Sequence, residues 1–301
     1  MLDKDMNREN KQRMVFILGM HRSGTSCLAG SLERCGLYLG AVSRRAESNP
    51  KNFLYELEEV NDLHDQILTE NGGTWYLPPS HIYVRPNQKQ ALKRIISQLT
   101  KYVPCGLKDP RLLLLLDIWL ETAGSFTLVG TFRHPVAVGQ SLVTRYKMGS
   151  VDMIYPLWLR YNSELVRLHR MYQFPIVEFD LSDVETYCRT IAALAIELGL
   201  GPDLARLREF VSSDLYHNPS SEEPVPEICQ EIYTYLRQHR YQPAIWGNDF
   251  ERQVLAAQQR FAGWQWSPDK FESVLHPAVR FAPRSLIQLG RRWLSRLNAT
   301  R

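Results

Sequence analysis

Residues 14–26, Met14-Val-Phe-Ile-Leu-Gly-Met-His-Arg-Ser-Gly-Thr-Ser26, constrain the fold more than any other stretch of the chain. The apolar run Met14–Leu18 reads as a buried strand, and Gly19-Met-His-Arg-Ser-Gly24 as a tight turn bounded by glycines. Thr25 and Ser26 then open a helical pattern that continues through Leu28, Leu32 and Cys35. A strand that feeds a helix through a glycine loop gathers backbone N–H groups at the positive end of the helix dipole. Such a unit is an anion cradle, although a glycine turn of an ordinary α/β protein would read the same way on this stretch alone.

The spacing is similar to the ATP-binding loop G-x-x-x-x-G-K-[ST], with one displacement. Thr25 stands where that loop has its lysine, and the basic group sits inside the turn as Arg22. This argues against an ordinary NTPase.

Beyond the loop, periodicity predicts helices over 56–68, 88–99 and 112–121, and over 153–171 and 183–198, the last closed by Gly199. Strands are expected at 105–107, 125–132 and 175–179, and Pro135 suits the first turn of a helix running to Tyr146. Strands alternating with helices imply right-handed crossovers. The expected class is therefore α/β, a P-loop-like open parallel sheet with helices on both faces. The division expected is a flexible tail over 1–13, one domain over 14–276 and a basic amphipathic segment over 277–301. The Pro- and Ser-rich stretch 218–226 reads as a surface loop.

Composition narrows the partners. No apolar run approaches the ~18 residues of a membrane span, and the charged start of the chain has no signal-peptide character. Five cysteines, widely spaced among apolar neighbours, suggest neither a disulfide framework nor a metal knot, so a reducing cytoplasm is expected. Six arginines between Pro277 and Arg301 exceed the whole net charge of +4 and leave the rest of the chain at −2. A nucleic-acid partner is not expected from such a balance.

A second segment bears on phosphate. In Thr131-Phe-Arg-His-Pro-Val-Ala-Val-Gly-Gln-Ser141, Arg133 ends a predicted strand, where ligands of open parallel sheets bind. Ser141 follows on the helix opened by Pro135, and an arginine fork with a nearby hydroxyl suits a phosphate dianion. Taken alone, a strand-end salt bridge and a helix-surface serine describe the same residues as well.

The loop at 19–26 together with R-x-P-x-x-x-x-x-S at 133–141 resembles the PAPS-dependent sulfotransferases (PAPS is 3′-phosphoadenosine-5′-phosphosulfate), in a bacterial-type form. Asn49-Pro-Lys-Asn-Phe-Leu-Tyr-Glu56 is similar to that group's N-P-K-G-[FY]-[FW]-E segment, and Gly106-Leu-Lys-Asp-Pro-Arg111 and the unit 175–199 extend the match. The resemblance implies the sulfotransferase fold, with PAPS as donor and PAP as product. It implies that Arg22, Ser23, Gly24, Thr25 and Ser26 hold the 5′-phosphosulfate and that Arg133 and Ser141 hold the 3′-phosphate. Two departures stand out. One extra residue lies between Pro50 and Glu56, and no counterpart of the late R-K-G segment that contacts the 3′-phosphate is present.

The reaction so implied moves a sulfuryl group in line to a hydroxyl, of a carbohydrate or glycolipid in the resembling bacterial proteins. It needs a base and cations more than covalent chemistry. Glu56 matches the resembling group's glutamate and is the expected general base, against the alternative of a solvated face of an acidic helix with Glu58 and Glu59. Arg22 and Lys108 are the expected catalytic cations, against a simple Lys108–Asp109 pair at a strand end. Asp109 and Arg111 are expected to brace the site. His21 and His134 flank the motif arginines and are expected in hydrogen-bonded structural roles. No metal is expected, since the eight histidines show no H-x-x-x-H or H-x-E spacing. A kinase would need a loop lysine and a magnesium-binding acid after an apolar strand, for which Asp180 is the weak candidate. A nucleotide-binding protein without turnover is the third alternative.

Most tryptophans are expected in the core, with Trp75-Tyr76 and Trp264-Gln-Trp266 as the pairs that could make a sugar platform. Residues 285–297 put Leu286, Leu289, Trp293 and Leu297 near one helical face with arginines elsewhere. That pattern suits peripheral contact with an anionic membrane surface, docking on the domain, or homodimerisation.

Overall fold

The computed structural model describes residues 14–42, 54–211, 224–243 and 248–261. The segment 49–53, the loop 218–223, Trp264, Trp266 and the amphipathic stretch 285–297 lie outside the described residues.

β1 (Met14–Leu18) is buried at every position, as its uninterrupted apolar sequence requires of a strand covered on both faces. It pairs in parallel with β2 (Gly106–Lys108) on one side and β3 (Phe126–Phe132) on the other, and β3 pairs in parallel with β4 (Ile176–Glu178). The order among the described residues is β2-β1-β3-β4. The chain leaves β1 toward β2 and later returns past it to β3, so a topological switch point lies between β1 and β3. Crevices at such points, beyond the carboxyl ends of the strands, are where open α/β sheets hold ligands.

Side chains alternate between two helical layers. Val15, Ile17, Val129 and Val177 share one core with Leu28 and Leu32 of α1 (Thr25–Arg34) and Ile191 and Ala192 of α7 (Val184–Glu197). Leu207 of α8 (Leu204–Phe210) and Phe250 of α10 (Asn248–Phe261) close that layer. On the other face, Phe16 meets Trp119 of α4 (Leu112–Ala123) with ring centroids 6.0 Å apart. Leu112, Leu113, Leu115 and Leu116 of α4 are also buried, each contributing about 1.5–3 kcal/mol. The same side carries α2 (Glu58–Glu70), α3 (Pro86–Leu99), α5 (Pro135–Tyr146), α6 (Tyr155–Tyr172) and α9 (Glu227–Gln238).

Local signals account for most boundaries. Pro135 starts α5, and the Asp183 carboxylate accepts the Thr186 N–H at 3.0 Å to cap α7. Gly199, at φ 72°, ends α7 in the left-handed conformation that glycine accepts. Two expectations need correction. The helix expected from residue 56 begins at Glu58, leaving Glu56 in the segment before it. The helix expected over 153–171 is a 3₁₀ turn at Asp152–Ile154 followed by α6 from Tyr155, whose proline in the first turn sets the start. The five cysteines are all buried as free thiols.

Candidate functional site

The loop after β1 and the residues after β3 meet at the switch point. Gly24 caps α1 at φ 84°, and a Cβ there would overlap the Phe179 ring just beyond β4. A Cβ on Gly19 would come within 2.7 Å of the Thr131 carbonyl oxygen. Both glycines are therefore required by close approach. Arg22 is left-handed without being glycine, at φ 66°, a conformation that persists only where neighbours enforce it. They do so here. Arg133 Nη1 donates to the Arg22 carbonyl at 3.3 Å, Thr131 Oγ1 donates to the Ser23 carbonyl at 3.1 Å, and Arg22 Nε donates to Ser141 Oγ at 2.8 Å.

Thus Arg22, Arg133 and Ser141, widely separated in sequence, converge on one edge of the sheet. Trp158 Nε1 donates to the Arg133 carbonyl at 3.2 Å, and the Arg133 guanidinium lies 5.2 Å from the Phe179 ring centroid. Ser23 Oγ is buried with no hydrogen-bond partner among the described residues, at the mouth of the α1 dipole. A buried hydroxyl left unpaired at a helix N-terminus fits an anionic oxygen.

A second cluster abuts α1 from β2. Lys108, at the end of β2, is 2% exposed. Its ammonium spends all three donors: on Glu56 Oε1 at 2.5 Å, the Leu54 carbonyl at 2.8 Å and Ser26 Oγ at 3.1 Å. Asn61 Nδ2 donates to the other Glu56 oxygen at 3.0 Å. Glu56 is 7% exposed, so it does not lie on the solvated face of an acidic helix. Nor does Lys108 pair with Asp109. Tyr55 carries a left-handed φ of 54° at the residue before Glu56, in the segment where the motif has its extra residue.

Asp109 belongs to a third, deeper group. It accepts from Arg111 Nη1 at 3.1 Å and from the Arg111 backbone N–H at 2.7 Å, while Arg111 Nε also donates to Asp65 at 2.7 Å. Trp119 Nε1 donates to His64 Nε2 at 2.9 Å, and His64 Nδ1 lies 3.5 Å from Asp109 Oδ2. Although burial opposes its charge, Asp109 is held well below the usual carboxylate range by Arg111 and His64. Its neighbour Arg111 is held above its ordinary value by Asp109 and Asp65.

The histidines beside the motif arginines depart from expectation. His21 and His134 are packed by rings, His21 on Trp75 and His134 against Tyr233, and Nδ1 of each is buried without a hydrogen bond among the described residues. Burial holds both imidazoles below their ordinary pKa, His21 well below. Asp180 caps a turn by accepting the Ser182 N–H at 2.9 Å. No group of three or more His, Cys, Asp or Glu side chains able to hold a metal ion occurs among the described residues.

No protein-family profile and no curated protein matches this chain. Two solved structures similar to it are both sulfotransferases. One is the sulfotransferase domain of the Synechococcus PCC 7002 olefin synthase, at 17% identity and a TM-score of 0.43, covering 86% of this chain and 97% of that one. The other is sulfotransferase STF1 from Mycobacterium tuberculosis H37Rv, at 17% identity and a TM-score of 0.31, covering 86% of this chain and 80% of that one.

Sequence reasoning did not find His64, Asp65 or Asn61 as members of this neighbourhood. Each sits on a helix whose periodicity explains it as ordinary core or surface. Only the fold brings them beside Glu56 and the residues that follow β2.

Proposed function

We propose that the chain is a PAPS-dependent sulfotransferase acting on a sugar hydroxyl, with Glu56 as general base. The observation that carries this reading is the Lys108 ammonium, which joins a buried carboxylate to the helix N-terminus of an anion loop.

The donor brings an activated sulfuryl group whose S–O bond to the leaving phosphate breaks as the acceptor oxygen attacks in line. In this reading the backbone of 22–26 with Ser23, Thr25 and Ser26 holds the 5′ end, and Arg133 with Ser141 holds the 3′-phosphate. Arg22 faces the negative charge that builds on the departing oxygen, a task worth about 10²–10³-fold per donor in comparable sites, and Lys108 adds a second donor when it exchanges Ser26 for that oxygen. Glu56 takes the acceptor proton, and Lys108 and Asn61 keep its carboxylate oriented until then. These fixed cations fill the neutralising role that a metal plays in phosphoryl transfer. In a kinase the loop would carry lysine where Thr25 stands, and Asp180 is engaged in a turn.

Calorimetric titration with PAP and with ATP, with and without magnesium, tests the reading. PAP should bind without magnesium, ATP should not compete, and Arg133→Ala should abolish the PAP signal. Magnesium-dependent ATP binding with no response to PAP would sink it.

A further inference from the structure

The chemistry above leaves one built feature without a task. Trp75, in the connection between α2 and α3, stacks on His21 with ring centroids 4.2 Å apart and planes inclined by 29°. His21 directly precedes Arg22. Tyr146, the last residue of the helix that carries Ser141, lies with its ring centroid 5.3 Å from Trp75, and Tyr76 meets Trp75 edge-on at 5.3 Å. The aromatic cluster thus links the anion loop to the end of α5.

It is braced from below and open above. The Tyr161 hydroxyl donates to the Trp75 carbonyl at 2.9 Å, and its buried ring meets His21 edge-on at 5.9 Å. The turn that carries Trp75 and Tyr76 is closed by Thr74 N–H donating to the Leu77 carbonyl at 2.9 Å and Leu77 N–H donating to Thr74 Oγ1 at 3.0 Å. The outer rings remain accessible, with Tyr76 42% and Tyr146 43% exposed.

We propose that Trp75, Tyr76 and Tyr146, beside His21, form the acceptor subsite and that it receives a pyranose ring, an inference that rests on the sulfotransferase reading. Flat aromatic faces match the C–H face of a pyranose, and a half-open platform leaves the hydroxyl-rich face hydrated. A steroid or fatty acceptor would instead need an enclosing apolar pocket that covers most of its surface. Burial holds the His21 imidazole below its ordinary pKa, so this edge places no further cation beside Arg22.

Saturation-transfer NMR on the PAP-saturated protein tests this, with maltose, cellobiose and lactose as probes and 2-naphthol as the counter-probe. We expect saturation at the C–H protons of at least one disaccharide, weakened by about tenfold or more in Trp75→Ala and in Tyr76→Ala and restored by Trp75→Phe. PAP affinity by calorimetry should be unchanged in all three variants, which also certifies their folding. Binding of no disaccharide, sugar binding indifferent to both alanine variants, or 2-naphthol bound in place of the sugars would each overturn the subsite while PAP binding stands. Failure of the wild-type protein to bind PAP would remove the sulfotransferase reading and the subsite with it.

Discussion

At the scale of single residues, the decisive pair is Glu56 with Lys108, both buried and mutually neutralising. A purely structural ion pair and a catalytic one differ in what a double substitution does. Removing one partner leaves a buried charge uncompensated, at a cost of about 3–5 kcal/mol, whereas removing both costs far less. We therefore expect Glu56→Gln to lower the transfer rate by about 10²–10⁴-fold. Adding Lys108→Met should return stability in urea unfolding toward wild type without returning the rate. Recovery of both would make the pair structural only. Asp109 offers a pH test. Its folded-state pKa is depressed, so its stabilising contribution is complete above the unfolded value of about 3.9 and is lost as pH falls toward the folded value. Asp109→Asn should cost about 3–5 kcal/mol near neutrality. The gap from wild type should shrink by about 1 kcal/mol between pH 5 and pH 3, read by urea unfolding at each pH.

At the scale of elements, the strand–loop–helix unit β1–α1 carries the site because its loop has no room for side chains where it turns. Gly24→Ala would place a methyl into the Phe179 ring at a positive φ, so we expect a loss of about 1–3 kcal/mol, several degrees in Tm, together with loss of PAP binding. Asp183→Ala, which removes only the cap of α7, should lower Tm slightly and leave PAP affinity intact. Differential scanning calorimetry with and without PAP separates the two outcomes. Most elements before α8 were legible in the sequence. Pro135 marks the start of α5, Gly199 the end of α7, and the apolar run at 14–18 reads as a buried strand. The start of α2 was not, because Leu57 offers no side-chain cap and Glu56, Glu58 and Glu59 all suit a first helical turn. What pulls Glu56 out of the helix is a lysine 52 residues further along, which no local pattern contains.

At the scale of the whole molecule, three cationic side chains from different strands and loops, Arg22, Lys108 and Arg133, gather at the carboxyl edge of a sheet whose walls are apolar. Such a focus attracts polyanions and is screened by salt. PAP affinity should fall by about tenfold or more as NaCl rises from about 50 to about 500 mM, with disaccharide binding hardly changed. Chelation with EDTA should leave PAP binding as it was; a loss would assign the neutralising charge to a bound metal rather than to these side chains. No helix among the described residues is long and apolar enough to cross a membrane. Read alone, the sequence determined the strand–loop–helix unit and the alternation that makes a parallel sheet, because period and glycine placement are local properties of the chain. The tertiary structure alone decided that Lys108 partners Glu56 rather than Asp109, that His21 is held by Trp75, and that Arg22 reaches Ser141. Those contacts are chosen by strand order and helix packing, which bring distant side chains to one edge where burial leaves each charge only the partner within reach.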